Sequence, residues 1–348
     1  MINPNYHNVH NLFKLNGFHF NKEDLCRVAY SFIKEGEAFE KPVGDFLLDW
    51  FDDKSFISMQ TSGSTGIPKI IQVDKQAMVN SALATGDFFD LRAGQTALHC
   101  LPVNYVAGKM MLVRAMILGL DLEFVAPSSH PMRNLNMDFD FTAMVPLQAQ
   151  NSLSELSRVK KLIVGGAKIN SKLESSLKRV PKISVYETYG MTETISHIAA
   201  KKVGEKEFTV LPNVTISYDD ANCLVIHAPR ISAELITTND VVELVDENKF
   251  IFLGRIDHVI NSGGIKILPE QIENKLSSFI DRPFFIGSQE DSVLGEKVVL
   301  VIEGEKEELD VSIFESLGRY EKPKEVIFVP KFAYTGNGKI IRKESYLV

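Results

Sequence analysis

A chain of 348 residues with 45% hydrophobic and 24% charged side chains has the make-up of a globular protein and is long enough for two separately packed cores. Its net charge of −7 excludes a general nucleic-acid binder, which needs a basic face, but not a local basic pocket for an anion. Cys26, Cys100 and Cys223 stand far apart in no metal or redox spacing, and Met1–Leu12 has neither the basic nor the apolar stretch of a signal peptide, so a reducing, cytoplasmic location is expected.

In chain order, Phe56–Met59 and Ile70–Val73 read as two strands around Thr61–Lys69, which spells Thr-Ser-Gly-Ser-Thr-Gly-Ile-Pro-Lys. Small residues let a backbone approach a phosphate chain, their hydroxyls and N–H groups can donate to it, and a lysine adds charge. The run is not a Walker A loop, because Pro68 precedes Lys69 and Ile70 follows it. Taken alone it is either a phosphate-binding loop or a flexible hairpin turn. Thr96–Leu101 then reads as a strand and Ala107–Leu118 as an apolar helix. The apolar run Met110–Leu120 is broken by Arg114 and too short to span a bilayer, so no membrane insertion is expected.

Further strands are expected at Leu122–Val125, Thr142–Val145, Leu162–Val164 and Ile183–Tyr186, with helices at Leu147–Leu156 and from Ser171, as cap, to Arg179 before Pro181. This alternation predicts an α/β domain with a mostly parallel sheet, whose ligands gather at the carboxyl ends of the strands. From Val241 the texture changes. Val241–Val245 and Lys249–Leu253 flank a hairpin signal at Asp246–Asn248. Short pieces follow: a Gly263-Gly264 turn, a helix from Pro269 to Ser278, strands at Phe284–Ile286, Val298–Ile302 and Val326–Val329, and a helix near Asp310–Leu317. The reading is a large α/β domain over 1–254 and a small α+β domain over 255–348.

Four more segments stand out: Tyr189–Glu193 (Tyr-Gly-Met-Thr-Glu), Thr238–Asp240 (Thr-Asn-Asp), Gly254–Asp257 followed by Ile260–Gly264, and Thr335–Lys339 (Thr-Gly-Asn-Gly-Lys). With the Ser/Thr/Gly run they fall in the order and rough spacing of the adenylate-forming superfamily, which the chain resembles from about Phe56 to Arg342. The resemblance implies two steps. A carboxylate attacks the α-phosphorus of ATP, and a thiol, commonly that of coenzyme A, then attacks the acyl-adenylate.

Residue by residue, the resemblance gives Thr61, Ser62, Gly63, Ser64, Thr65, Gly66 and Lys69 to the phosphates. It gives Gly165, Gly166, Ala167, Tyr189, Gly190 and Met191 to adenine and the acyl group. Lys339 would bridge the attacking carboxylate and the phosphate, Thr192 would donate to the α-phosphate, and Glu193 would hold Mg²⁺. Asp240 and Arg255 would take the ribose, and Asp257 would be the hinge of the small domain. Each has a plainer alternative: a helix start for Thr192 and Glu193, a polar break with an Asx turn for Asp240, strand-end turns for the glycines, a surface lysine for Lys339.

For the acid, Tyr105 stands where relatives have histidine. Arg114, on an apolar helix, is either a snorkelling or acid-paired arginine or the receptor for a second carboxylate. Ser196 and His197 are further candidates for the pocket wall. Within the superfamily these details resemble the branch that activates the aromatic dicarboxylate 2-succinylbenzoate for menaquinone synthesis. Three departures stand: a phosphate loop far earlier than in longer relatives, Gln271 in place of a glutamate, and Phe332–Tyr334 where relatives often carry arginine. A carrier protein as acceptor, or a nucleotide-binding module without catalysis, are the alternatives; a homodimer is left open.

Overall fold

The computed structural model describes residues 4–60, 70–334 and 340–345. The phosphate-loop candidates Thr61, Ser62, Gly63, Ser64, Thr65, Gly66 and Lys69, and the candidate lysine Lys339, lie outside the described residues.

A thirteen-stranded sheet dominates the fold. Apart from the antiparallel edge strand Phe18–His19, its first half is parallel: Lys14–Leu15, Asp121–Phe124, Thr96–His99, Phe139–Met144, Val159–Val164 and Ser184–Gly190 lie side by side in that order. Alternate side chains of these strands enter different cores, as the pleat requires. Ala97, Phe141 and Ile163 pack under the helices Lys75–Phe88 and Val106–Leu118, whereas Leu98, Leu162 and Val164 pack with Leu173 and Leu177 on the opposite face. Helices on both faces explain why these strands read as near-continuous apolar runs.

The expectation of a mostly parallel sheet needs correction. From Ser184–Gly190 onward every pairing is antiparallel, through His197–Lys202, Phe208–Val210, Lys249–Arg255, Ile236–Asp246, Cys223–His227 and Thr215–Tyr218. Short connections permit most of these pairings, since only parallel neighbours need a helical crossover, while Phe208–Val210 meets Lys249–Arg255 from further along the chain. The hairpin over Asp246–Asn248 is one of these connections.

Local corrections follow the same physics. The helix expected over Leu147–Leu156 spans only Pro146–Asn151, and a short 3-10 turn covers Leu156–Arg158. Asn170, not Ser171, caps the next helix, accepting from the Leu173 amide at 2.8 Å. That helix ends at Leu177, short of Arg179. Val311–Phe314 is a single 3-10 turn rather than the helix expected near Asp310–Leu317.

The C-terminal segment forms a five-stranded sheet from Ile260–Ser262, Ile265–Ile267, Phe284–Asp291, Gly295–Glu303 and Glu325–Val329. The helix Pro269–Leu276 lays Ile272 and Leu276 on Ile286 and Leu300 to build its core. Two contacts join this segment to the helix Ser171–Leu177 and the loop before it: the Lys168 ammonium, in the loop, on the Asn274 side-chain oxygen, and Lys172, in the helix, with Asp281 at 3.1 Å. No helix among the described residues is long and apolar enough to cross a membrane.

Candidate active site

The site candidates gather where the sheet changes from parallel to antiparallel. Ser184–Gly190 is the last parallel strand, and His197–Lys202 returns beside it with His197 opposite Gly190. Tyr189 and Gly190 are therefore in the strand itself, not in a loop after it. Thr192 and Glu193 sit in the hairpin loop between the two strands. The alternative of a helix start at Thr192 is corrected: residues 192–196 are turn and bend.

The loop is held from within. The buried Thr194 hydroxyl accepts from the Met191 amide at 2.9 Å and reaches the Ser196 carbonyl at 2.7 Å. Ile195 sits at φ 66°, a left-handed conformation that a β-branched side chain adopts only under constraint. A side chain at Gly190 would stand 2.3 Å from the Ser196 carbonyl oxygen, so glycine is required for this close approach. The result is a turn that leaves the Glu193 side chain exposed and Thr192 half-buried.

Gly165 follows the neighbouring parallel strand, its amide bonded to the Met144 carbonyl at 3.1 Å. A Cβ there would lie 2.7 Å from the Thr188 hydroxyl, which itself donates to the Val164 carbonyl at 3.2 Å. Gly166 takes φ 83°, and Gly166 and Ala167 are exposed beside the crevice. Gly165 and the 191–196 loop thus share the carboxyl edge of the parallel strands, as expected for a ligand crevice.

Asp240 is not in a polar break; it lies in the strand Ile236–Asp246, paired with Arg255 of Lys249–Arg255. Its carboxylate accepts from the Tyr189 hydroxyl and faces the Arg255 guanidinium at 3.5 Å. Burial and the Asp240 charge push the Tyr189 phenol far above its ordinary value, so it acts here only as a donor. Arg255 also forks onto Asp257, with Nε–Oδ1 3.0 Å and Nη2–Oδ2 2.8 Å. Burial raises the Asp257 carboxyl, but those two bonds outweigh it and hold the group below its usual range. One arginine therefore links a strand-borne carboxylate to the residue named above as the hinge.

Arg114, Ser196 and His197 converge. Arg114 is 2% exposed, on the helix Val106–Leu118, and donates to Ser196 Oγ at 2.6 Å and to His197 Nδ1 at 3.4 Å. Its Nε donates to Thr85 Oγ1 at 3.3 Å, from the adjacent helix Lys75–Phe88. Burial pulls its pKa down to about 9, which still leaves it cationic at neutral pH. Among the described residues no carboxylate is within ion-pair reach of it. His197 is held well below its ordinary pKa by burial and by the Arg114 charge, so it is neutral. The cluster thus carries one buried positive charge that no protein acid among the described residues neutralises.

Tyr105 does not join this cluster. It is the N-cap of the same helix, 48% exposed, about 13 Å of helix axis before Arg114, and no side-chain hydrogen bond ties it to the cluster among the described residues. Thr85 was missed by the sequence reading, although Ser81 and Thr85 are adjacent turns of one helix and buried, a polar pair on an otherwise apolar face. Among the described residues no cluster of three or more His, Cys, Asp or Glu could hold a metal. A lone exposed carboxylate such as Glu193 suits an ion that arrives on phosphates and keeps most of its waters.

The pattern of the AMP-binding enzyme family matches residues 49–226. The 2-succinylbenzoate–CoA ligase of Haemophilus influenzae is 25% identical over 298 residues, covering 76% of this chain and 64% of that protein. The chain therefore spans less than two thirds of that ligase's length. A D-alanine–D-alanyl carrier protein ligase of Bacillus mycoides is 22% identical over 358 residues, covering 84% of this chain and 70% of that protein. An acyl-CoA synthetase (AMP-forming)/AMP-acid ligase II-like protein from Dyadobacter fermentans superposes with a TM-score of 0.62 at 35% identity, covering 92% of this chain and 97% of that one.

Proposed function

We propose, since this chain belongs to the AMP-binding enzyme family, that it is an ATP-dependent acid–thiol ligase. It joins a carboxylic acid to AMP and then to coenzyme A, and the acid is a dicarboxylate of the 2-succinylbenzoate type. The observation that carries the choice of acid is Arg114: a buried guanidinium without an acid partner among the described residues, beside Ser196 and His197. Burying such a charge is costly unless something compensates it. A second carboxylate on the substrate supplies that compensation in planar, charge-assisted bonds.

In this reading Asp240 accepts from the ribose hydroxyls, and Arg255 lies between the ribose and the hinge residue Asp257. Thr192 donates to the α-phosphate, while Glu193 would hold Mg²⁺, which screens the phosphate charge when bound. The Gly165–Ala167 edge and Tyr189–Met191 flank the base and the acyl group. Thr61–Gly66 and Lys69 cradle the phosphates, and Lys339 faces the attacking carboxylate. The domains divide at 254/255. Tyr105, at the helix N-terminus, borders the entrance rather than the carboxylate receptor.

A second reading has the same adenylation chemistry with a carrier protein as acceptor. It is favoured by the D-alanine–D-alanyl carrier protein ligase at similar identity. The test is to incubate the protein with ATP, Mg²⁺, coenzyme A and a panel of acids and to weigh the products. The first reading predicts a 2-succinylbenzoyl thioester of coenzyme A. Acyl-adenylate without thioester points to the carrier, and neither product with any acid overturns the ligase reading. Lys339→Ala is expected to slow carboxylate-dependent pyrophosphate exchange about 10²–10³-fold, as for a lost transition-state charge contact. Near-normal exchange would remove Lys339 from the chemistry.

A further inference from the structure

Around Arg114 the hydrogen-bond directions can be worked out almost atom by atom. Thr85 Oγ1 stands 2.9 Å from the Ser81 carbonyl, which can only accept, so the threonine hydroxyl proton goes there. Thr85 Oγ1 then has only lone pairs left for its other neighbours. It accepts from Arg114 Nε at 3.3 Å. His197 Nε2, at 3.4 Å from the same oxygen, must be the donor and carry the ring proton. His197 Nδ1 is left as an acceptor, which is what its surroundings require: Arg114 Nη2 at 3.4 Å and the Ser196 hydroxyl at 3.3 Å both present protons to it.

Thr85 thus closes a ring of directed bonds. The helix Lys75–Phe88 supplies the oxygen, the helix Val106–Leu118 the guanidinium, and the first residue of His197–Lys202 the imidazole. Backbone placement holds each corner: Thr85 is fully buried, and Phe89 packs edge-on to the imidazole with ring centroids 5.9 Å apart. Arg114 has Nε and Nη2 committed to this ring, whereas Nη1 has no hydrogen-bond partner among the described residues. The arginine is therefore aimed, with one end of its fork held by protein and the other open.

We propose that Thr85 is a specificity-positioning residue: its hydroxyl fixes both the direction of the Arg114 fork and the Nε2–H form of His197, so that the guanidinium's open edge meets a second anionic group of the acyl substrate. This rests on the dicarboxylate reading given above. Removing the hydroxyl frees Arg114 Nε and takes away the oxygen that receives the His197 Nε2–H, leaving only the Arg114 and Ser196 protons at Nδ1 to hold the tautomer. An Nδ1–H ring would point a proton at the guanidinium, turning that contact repulsive, and would force the Ser196 hydroxyl to reverse and accept. The loss falls on substrates that use Arg114 and spares those that do not.

The experiment compares Thr85→Val, which keeps shape without a hydroxyl, with Thr85→Ser, which keeps the hydroxyl. Pyrophosphate exchange is measured for 2-succinylbenzoate and for each of its two single-carboxylate analogues. The expected result is a fall of about tenfold in the dicarboxylate-to-monocarboxylate ratio of kcat/KM for Thr85→Val, carried by KM, with Thr85→Ser within about twofold of the parent. An unchanged ratio in Thr85→Val overturns the proposal. Nitrogen-15 NMR of the full chain reads the imidazole tautomer independently of any substrate and needs no variant to fold: His197 must show Nε2–H, and an Nδ1–H ring overturns the proposal. Should the parent protein not prefer the dicarboxylate at all, the dicarboxylate reading falls, and with it the specificity role, while the tautomer still reports whether the bonds around His197 run in the directions assigned here.

Discussion

Arg114 and Arg342 are both drawn into packed surroundings, yet they are built in opposite ways. Arg342, in the small domain, is saturated by its own protein. It meets Glu273 at 2.8 Å and 2.9 Å, the Ile286 carbonyl at 3.0 Å and Glu270 at 3.5 Å. Glu273 in turn accepts from the Ile286 amide, and Glu270 from His258, so the group closes on itself. Arg114 has hydroxyls and a neutral imidazole around it and, among the described residues, no acid. An arginine with its acids already in place is a fastener. One left with its charge unmatched is a socket.

That contrast predicts different costs for the same substitution. Arg342→Met strands Glu273, whose carboxyl burial already raises despite the arginine beside it, and should destabilise the small domain by about 3 kcal/mol. Urea unfolding of Arg342→Met against the parent measures it; a loss under about 1 kcal/mol would mean the group is solvated and no fastener. Adding Glu273→Gln to Arg342→Met should recover part of the loss, since the stranded charge is gone.

The second difference appears in acid. The large domain holds two histidines in the neutral form: His197 well below its ordinary pKa, and His99 down to about 4, chiefly through burial. For such a group the unfolded chain binds a proton below about pH 6.5 while the folded chain does not. Stability is therefore full above that pH and falls as the pH drops, by roughly 1.4 kcal/mol per pH unit for each histidine. For His99 the fall levels off near pH 4. Unfolding curves at pH 7, 6 and 5 test this, and His99→Gln should flatten the slope; an equally steep slope in that variant would contradict it.

The smallest change should come from Arg114→Met. It removes a buried charge with no acid partner among the described residues and should leave stability within about 1 kcal/mol of the parent. A loss comparable to that of Arg342→Met would make Arg114 a fastener too.

The sequence made the central strands legible because apolar runs buried on both faces look alike wherever they occur. It also named Arg114, Ser196 and His197, which the fold brings to hydrogen-bond distance from points far apart in the chain. The antiparallel half of the sheet was less visible. Its strands are only half covered: Ile236–Asp246 alternates buried Thr238, Asp240 and Val242 with more open neighbours, so Asp240 passed for a loop residue. Tyr189 and Gly190 passed for a loop because a glycine at a strand end usually marks one; here it marks the close approach of the Ser196 carbonyl. Asn170 beats Ser171 as a cap by geometry that composition does not contain. Thr85 escaped because its role depends on a partner helix, and no period along its own helix reveals that.

The most direct test compares two proteins on three acids: parent and Arg114→Met, each assayed by pyrophosphate exchange with 2-succinylbenzoate and with its two single-carboxylate analogues. If Arg114 is the socket for a second carboxylate, the substitution lowers kcat/KM for the dicarboxylate by about 10²-fold or more and changes that for at least one analogue by less than about threefold. Equal losses for all the acids would show that Arg114 only holds the helices together.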